Sequence, residues 1–269
     1  MNTTKMPNPE GAEIELHSLE LQTAIQAVKA GAEKVRTYYN SGIGFDHKSD
    51  NTIITTADPE GEEIIISKIR ESFPNAHILG EEGGGSDRSE KDLWLVDPID
   101  STRSFSRGIP TWDVMVGYQR KGEMVIGVSY FPELNMLFSA EKGKGAFLNG
   151  EQIHVSSIDK LGKSLVGHGS PRHFPNKQLL VDLIESSESV RSPDPIFTSG
   201  LIAKGSTEGL IDYYGMPWDF APWKVIVEEA GGKITKLNGE PWIVDDSKGC
   251  VLSNGLIHDE LLAIVHRNQ

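Results

Sequence analysis

At 269 residues the chain is long enough for one large domain with a sizeable core, and 38% hydrophobic with 24% charged residues is the composition of a globular protein. Its formal net charge of −13 repels nucleic-acid phosphate, which argues against a DNA or RNA binder, and repels small anionic substrates unless bound cations reverse the field locally. The single cysteine, Cys250, excludes an intramolecular disulfide and leaves no basis for a thiolate zinc site.

Cys250 reads as a small buried hydrophobe. Residues 1–11 lack the apolar segment of a secretory signal, and no run reaches the roughly 18 apolar residues of a membrane helix. The expectation is a cytoplasmic protein with no membrane partner. Residues 1–15 are assigned to a flexible N-terminus and 16–269 to a single unit. Within it, 16–158 form an N-terminal half and 159–269 a C-terminal half.

In chain order, Leu21, Ala24, Ile25, Val28, Ala32 and Val35 recur at helical spacing and predict a helix over 16–39, stopped by Gly42 and Gly44. The β-branched run 52–56 predicts a strand. Asp58-Pro59 then reads as an N-cap with proline at the first helical position, opening a helix that buries Ile64, Ile65, Ile69 and Phe73. Strands are expected at 76–79 and 93–96. A consecutive series follows at 112–119, 124–130 and 137–139, with Lys121-Gly122 and Asn149-Gly150 as tight turns and a short strand at 153–155. Beyond Ser156 the pattern is mixed: a helix over 177–185, a strand over 209–214, a helix over 219–230 closed by Gly231-Gly232, strands at 233–237 and 250–253, and a last helix over 258–265. Helices framing a strand-rich middle make the class α+β or layered α/β.

Five acidic residues stand at element ends: Asp58, Glu81, Asp97, Asp100 and Asp219. Any one alone reads first as a helix or turn cap. The group says more. Asp97 ends an apolar strand, Pro98 stiffens the turn, and Asp100 precedes Ser101 and Thr102, placed at the start of a short helix whose free N–H groups favour an anion. Carboxylates beside such a terminus suit hard cations next to a phosphate pocket, and oxygen-only ligands select Mg²⁺, Mn²⁺ or Ca²⁺.

The runs Gly80-Glu81-Glu82-Gly83, Trp94-Leu95-Val96-Asp97-Pro98-Ile99-Asp100-Ser101-Thr102 and Trp218-Asp219 with Glu228-Glu229-Ala230-Gly231-Gly232 resemble the inositol monophosphatase family. Thr55-Thr56-Ala57-Asp58, the segment from Gly143 to Gly150, and Ser253-Asn254-Gly255 extend the likeness from about residue 16 to the C-terminus. The resemblance implies an α-β-α-β-α sandwich of the inositol monophosphatase and fructose-1,6-bisphosphatase type, in a homodimer. It implies two to three Mg²⁺ per site, with Mn²⁺ as a substitute. Glu81, Asp97 and the Ile99 carbonyl would hold the first, and Asp97, Asp100 and Asp219 the second. Asp58 and Glu81 would serve a third through water. Thr102 and Asp58 would orient and deprotonate the attacking water. Glu82 would support these ligands, while Ser101 and Thr102 N–H groups, with Asp100 and Asp219, would face the substrate.

The substrate implied is a small polyol phosphate of the inositol-1-phosphate type. Two departures bear on it. Serine stands at 101 where the family usually has glycine, a strained choice if φ there is positive. The segment from Asp212 to Asp219 is short and places Gly215 where a hydroxyl-contacting glutamate is usual, with Asp212 as a candidate replacement. Arg107-Gly108-Ile109-Pro110-Thr111-Trp112 is similar to a run in histidinol-phosphate phosphatases, although a turn with a buried Trp accounts for it structurally. Fructose bisphosphate and 3′(2′),5′-bisphosphate nucleotides are further alternatives, and a silent binding protein on the same fold is the alternative from another class. His154, His168 and His173 lack metal-ligand spacing and read as surface or loop residues. Lys142 and Lys144 read as a solvated hairpin, Trp218, Trp223 and Trp242 as core or subunit-contact residues, and Lys48 as either a solvent-exposed side chain or one reaching the site.

Overall fold

The computed structural model describes residues 17–41, 44, 55–83 and 85–269, with the backbone of four short strands: Met6–Pro7 (β1), Glu13–Ile14 (β2), Asp46–His47 (β3) and Ile53–Ile54 (β4). Most of residues 1–15, together with Gly42 and Lys48, lie outside the described residues. The first helix, Leu19–Arg36 (α1), starts later than its apolar spacing suggests because the Ser18 hydroxyl caps it, accepting from Leu21 N at 3.2 Å. It ends a turn before the glycines, in a run of tight turns at residues 37–41.

The second helix, Ala57–Ser72 (α2), corrects the reading of Asp58. Thr56 occupies the N-cap position and Asp58 is the second helical residue, its Oδ2 accepting from Thr55 N at 2.8 Å and Thr55 Oγ1 at 2.6 Å. The carboxylate therefore ties down the entering chain instead of capping the helix.

A seven-stranded sheet follows: Ile78–Gly80 (β5), Leu93–Asp100 (β6), Asp113–Arg120 (β7), Glu123–Phe131 (β8), Met136–Glu141 (β9), Ala146–Leu148 (β10) and Glu151–Ile153 (β11). They pair in sequence order, antiparallel except for β5 with β6. Both expected turns form, with positive φ at Lys121 and Gly122 and at Asn149 and Gly150, as two-residue hairpins with right-handed twist require. Between β6 and β7 lies the four-residue helix Thr102–Phe105 (α3).

The C-terminal half contains elements the sequence pattern concealed. Leu165–His168 (β12), Gln178–Ser186 (α4), Ser189–Val190 (β13), Pro195–Ala203 (α5), Gly209–Asp212 (β14), Pro217–Glu229 (α6), Lys233–Thr235 (β15), Cys250–Ser253 (β16) and His258–Arg267 (α7) complete the chain. The second sheet runs β13-β12-β14-β16-β15. β12, β13 and α5 went unread because they are short or apolar all round, with no helical or alternating period.

Alternation sorts the core into layers. Trp94, Val96, Val114, Val116, Ile126 and Val128 pack against α1 and α2. The opposite face of that sheet, through Leu93, Leu95, Met115 and Phe138, meets Ile202 of α5, Phe220 and Trp223 of α6, and Leu210 and Leu252 of the second sheet. Ile211 and Val251 point the other way, onto Leu179 and Leu183 of α4 and Leu261 and Val265 of α7. The order is α1/α2, seven-stranded sheet, α5/α6, five-stranded sheet, α4/α7: the expected α-β-α-β-α sandwich. Helix α6 lies close on the large sheet because Gly127 has no side chain; a Cβ there would meet the Pro222 carbonyl oxygen at 2.1 Å. Cys250 is fully buried, as are Trp223 and Trp242.

Candidate active site

In a regular strand, residues three apart face opposite sides of the sheet. Asp97 and Asp100 escape this because β6 changes register against β7 between them, Asp97 pairing with Met115 and Asp100 with Asp113. The irregularity turns both carboxylates toward one place. Asp219, third residue of α6, comes from the other side, its Oδ2 held by Met216 N at 2.8 Å. Asp97, Asp100 and Asp219 each offer a carboxylate oxygen within 4.8 Å of the others.

This arrangement is costly without a cation. Burial, then Glu81, Asp100, Asp219 and Asp113, push the Asp97 carboxyl well above the ordinary range. Burial, then Asp100 and Glu81, do the same to Asp219. Burial likewise carries Asp100 up to about 7, the Ser101 hydroxyl opposing and Asp194 and Glu81 adding. A divalent cation relieves burial cost and mutual repulsion together, and an all-carboxylate donor set fits a hard one. The residues present fit Mg²⁺.

Glu81 lies just beyond β5 and lines the same cavity as the three aspartates. Its neighbour Glu82 does not; instead its backbone N–H donates to Glu62 Oε2 at 2.8 Å. Glu62, on the buried face of α2, escaped sequence reasoning. It packs so closely under the end of β5 that a Cβ on Gly80 would lie 2.3 Å from its Oε2. The signal was an acid four residues after Asp58 on a helix face otherwise buried at Ile65 and Ile69.

Ser101 caps α3 at φ 60, ψ 45, in the left-handed region. The strain anticipated for serine is therefore real, at a cost on the order of 1 kcal/mol. Its hydroxyl donates to Asp100 Oδ2 at 2.7 Å. Thr102 Oγ1 has two acceptors within reach for its one hydrogen, the Ile99 carbonyl at 3.1 Å and Asp58 Oδ1 at 3.4 Å. Asp58 itself is fully buried behind Thr102 and does not line the cavity.

The cavity has a volume of about 620 Å³. Beyond the acidic residues its lining includes Arg103, His168, His173, Asp194, Asp212, Tyr214 and Lys248. The reading of His168 as a surface or loop residue is thus corrected, whereas His173 is exposed in a short turn, as read, and still lines the cavity. The unread strand β12 delivers His168 to the cavity edge, and His173 stacks on Tyr214 with ring centroids 4.0 Å apart. Asp212 is present, but its Oδ1 accepts from Tyr214 N at 2.9 Å, so that oxygen is taken up by its own turn. Asp113, also unread, is fully buried beside the cluster and accepts from Ser129 Oγ at 2.6 Å.

The run from Arg107 to Trp112 does not line the cavity. Gly108 turns the chain at φ 69, and Trp112 is buried edge-on against Phe105 of α3, ring centroids 4.9 Å apart. Lys142 and Lys144 pair with Glu123 and Glu141 on their hairpin, as a solvated turn should.

Residues 18–269 match the model of the inositol monophosphatase family. The chain is 34% identical over 254 residues to a histidinol-phosphatase of Chlorobaculum parvum, an alignment covering 91% of this chain and 96% of that one. It is 37% identical over 221 residues to a fructose-1,6-bisphosphatase/inositol-1-monophosphatase of Thermotoga maritima, covering 80% and 82%. Among solved structures, the Thermotoga maritima IMPase superposes with a TM-score of 0.84 at 30% identity, over 92% of this chain and 97% of that one.

Proposed function

The chain belongs to the inositol monophosphatase family, whose members are metal-dependent phosphatases, and on that premise we propose that it hydrolyses a small polyol phosphate of the inositol-1-phosphate type with two to three Mg²⁺ in the site. The observation that carries the reading is the convergence of Asp97, Asp100 and Asp219 within 4.8 Å at the head of a cavity that also receives Glu81 and Thr102. Glu81, Asp97 and the Ile99 carbonyl would hold one cation, and Asp97, Asp100 and Asp219 another. Glu81 would serve a third, with Asp58, buried behind Thr102, acting on it only through water. When bound, Mg²⁺ supplies charge neutralisation and Lewis acidity, and Mn²⁺ can replace it.

The chain's own residues do the positioning. Ser101 and Thr102 sit at the first turn of α3, where N–H groups lack intrahelical acceptors and can take phosphate oxygens. Thr102 Oγ1, with Asp58 behind it, orients the attacking water, and Asp58 draws the proton through Thr102. A silent binding protein on this fold is disfavoured because Asp58, Glu81, Asp97, Asp100, Thr102 and Asp219 are all present. Residues 16–269 are taken as one catalytic unit, acting in a homodimer in the cytoplasm; no helix among the described residues is long and apolar enough to cross a membrane.

Histidinol phosphate is the second reading, favoured by the histidinol-phosphatase relative that aligns with 91% of the chain. Fructose 1,6-bisphosphate and adenosine 3′,5′-bisphosphate complete the set to be assayed. Purified protein is expected to release phosphate from an aryl phosphate only when Mg²⁺ or Mn²⁺ is added, and to favour inositol 1-phosphate among the four natural substrates. No release at any metal concentration would return the binding-protein reading. A large kcat/KM preference for histidinol phosphate would displace the inositol reading.

A further inference from the structure

Helix α2 runs behind the site and touches three of the segments that build it. Asp58, in its first turn, stands behind Thr102, its Oδ1 3.4 Å from the Thr102 hydroxyl. Gly61 lets the helix approach the bend between Asp97 and Asp100: a Cβ there would lie 3.2 Å from Pro98 Cβ and 2.6 Å from Val35 Cγ1. Glu62, four residues after Asp58 and so on the same face of the helix, reaches the end of β5. Its side chain is buried and does not line the cavity. It therefore stands behind the proposed ligands and not among them.

The bend that carries Glu81 is wrapped around this carboxylate. Glu62 Oε2 accepts from Glu82 N at 2.8 Å. On the strand side, a Cβ on Gly80 would meet Oε2, Cδ and Oε1 at 2.3, 2.5 and 2.7 Å. On the far side, a Cβ on Gly83 would stand 3.6 Å from Oε1. Gly80 is not one of the glycines with positive φ, so its lack of a side chain answers to the carboxylate and not to the backbone. A bond from N–H to a carboxylate is shorter and stronger than one to a neutral acceptor, and a buried carboxylate is held to the groups that compensate its desolvation. Glu81 thus sits between neighbours whose backbones close on Glu62, and the direction in which its side chain leaves β5 is set from underneath.

We propose that Glu62 is a positioning residue for Glu81. It holds the bend from Gly80 to Gly83 so that the Glu81 carboxylate faces the cations it would bind, and it sets their affinity without touching them. The inference rests on the ligand set proposed above and adds to it a residue outside the cavity. A charge acting at a distance would change the binding of every cation in the site. A positional effect changes only the binding that passes through Glu81.

The test measures Mn²⁺ binding to the full-length protein from the EPR signal of the free ion. Wild type is compared with Glu62→Ala, Gly80→Ala, Glu81→Gln and the double variant Glu62→Ala/Glu81→Gln. Glu62→Ala and Gly80→Ala are each expected to weaken the Glu81-dependent ions about tenfold or more, as Glu81→Gln does, and to leave the ion of Asp97, Asp100 and Asp219 within about threefold of wild type. Gly80→Ala removes no charge and no hydrogen-bonding group, so it reads position alone, and it carries the test if Glu62→Ala does not fold. The double variant is expected to bind no more weakly than Glu81→Gln by itself, because both changes act through one side chain. Additive losses in the double variant, a uniform weakening of every ion, or wild-type binding in Glu62→Ala or Gly80→Ala overturns the proposal. Wild-type binding in Glu81→Gln is a different failure: it removes Glu81 from the ligand set, and this inference with it.

Discussion

Asp97→Asn is expected to lower phosphatase activity on the order of a thousandfold or more while leaving the protein folded. Asp97 is shared by both inner cation positions in the proposed ligand set, so one substitution weakens two ions at once. It is also 1% exposed and surrounded by Glu81, Asp100, Asp219 and Asp113, all of which disfavour its charge. In metal-free protein, removing that charge relieves repulsion at no cost in volume. The metal-free variant should therefore melt at or above the wild-type temperature, an instance of a site whose function is held at the expense of stability. Adding Mg²⁺ should raise the wild-type melting temperature, since a ligand at a hundred times its Kd contributes about 2.7 kcal/mol. The variant should show little of that rise. Calorimetry with and without Mg²⁺, alongside the phosphate assay, reads both arms. Full activity, or an undiminished Mg²⁺-induced shift, would overturn the metal assignment.

Between pH 6.5 and pH 4 the wild type is expected to lose stability, relative to a His258→Gln variant, by about 3 kcal/mol. His258 opens α7, is fully buried, and its protonation is pushed down to about 4 by burial, with Lys233 adding and Asp259 opposing. Its neighbours define which neutral form is present. Thr235 Oγ1 donates its hydrogen to the Lys236 carbonyl at 2.9 Å, so it accepts from His258 Nε2–H at 3.0 Å. Nδ1 then accepts from Ser253 Oγ at 2.8 Å. A second proton on Nδ1 would face a hydroxyl that already accepts from Gly255 N at 3.0 Å.

The sign follows. Below pH 6.5 the unfolded chain takes up a proton at His258 that the folded chain refuses, so stability falls with pH until about 4 and then levels off. The clustered carboxylates of Asp97, Asp100 and Asp219 work in the opposite direction in metal-free protein. Their folded-state pKa values are raised, so the folded form protonates first and gains as pH falls toward 3.8. Only the difference between wild type and variant isolates the histidine. Urea unfolding of both proteins across this range measures it, and a gap that stays constant with pH removes His258 from the account.

Most of the layered fold and the acidic run behind the proposed ligand set was legible along the chain because both depend on short-range features. Alternating residues such as Leu93, Trp94, Leu95 and Val96 must face opposite layers whatever lies beyond them. Asp97, Pro98, Ile99, Asp100 and Thr102 form one contiguous run at a strand end, so their proximity needs no tertiary knowledge. Ser101 is the clearest case: the strain expected of a serine at a glycine position is present in its left-handed φ of 60.

Other features depended on distance. Asp194, Glu62 and Asp113 looked like ordinary acids because what distinguishes them is a partner 90, 20 or 16 residues away. His168 and His173 reached the cavity by way of β12, which is too short to show a period. The reaction class was thus determined by the sequence, through carboxylates that lie close together wherever the chain folds. Which substrate fits depends on the tertiary structure, because the rest of the cavity lining, with Arg103, His168, Asp194, Tyr214 and Lys248 among it, is brought together by packing and by no local rule.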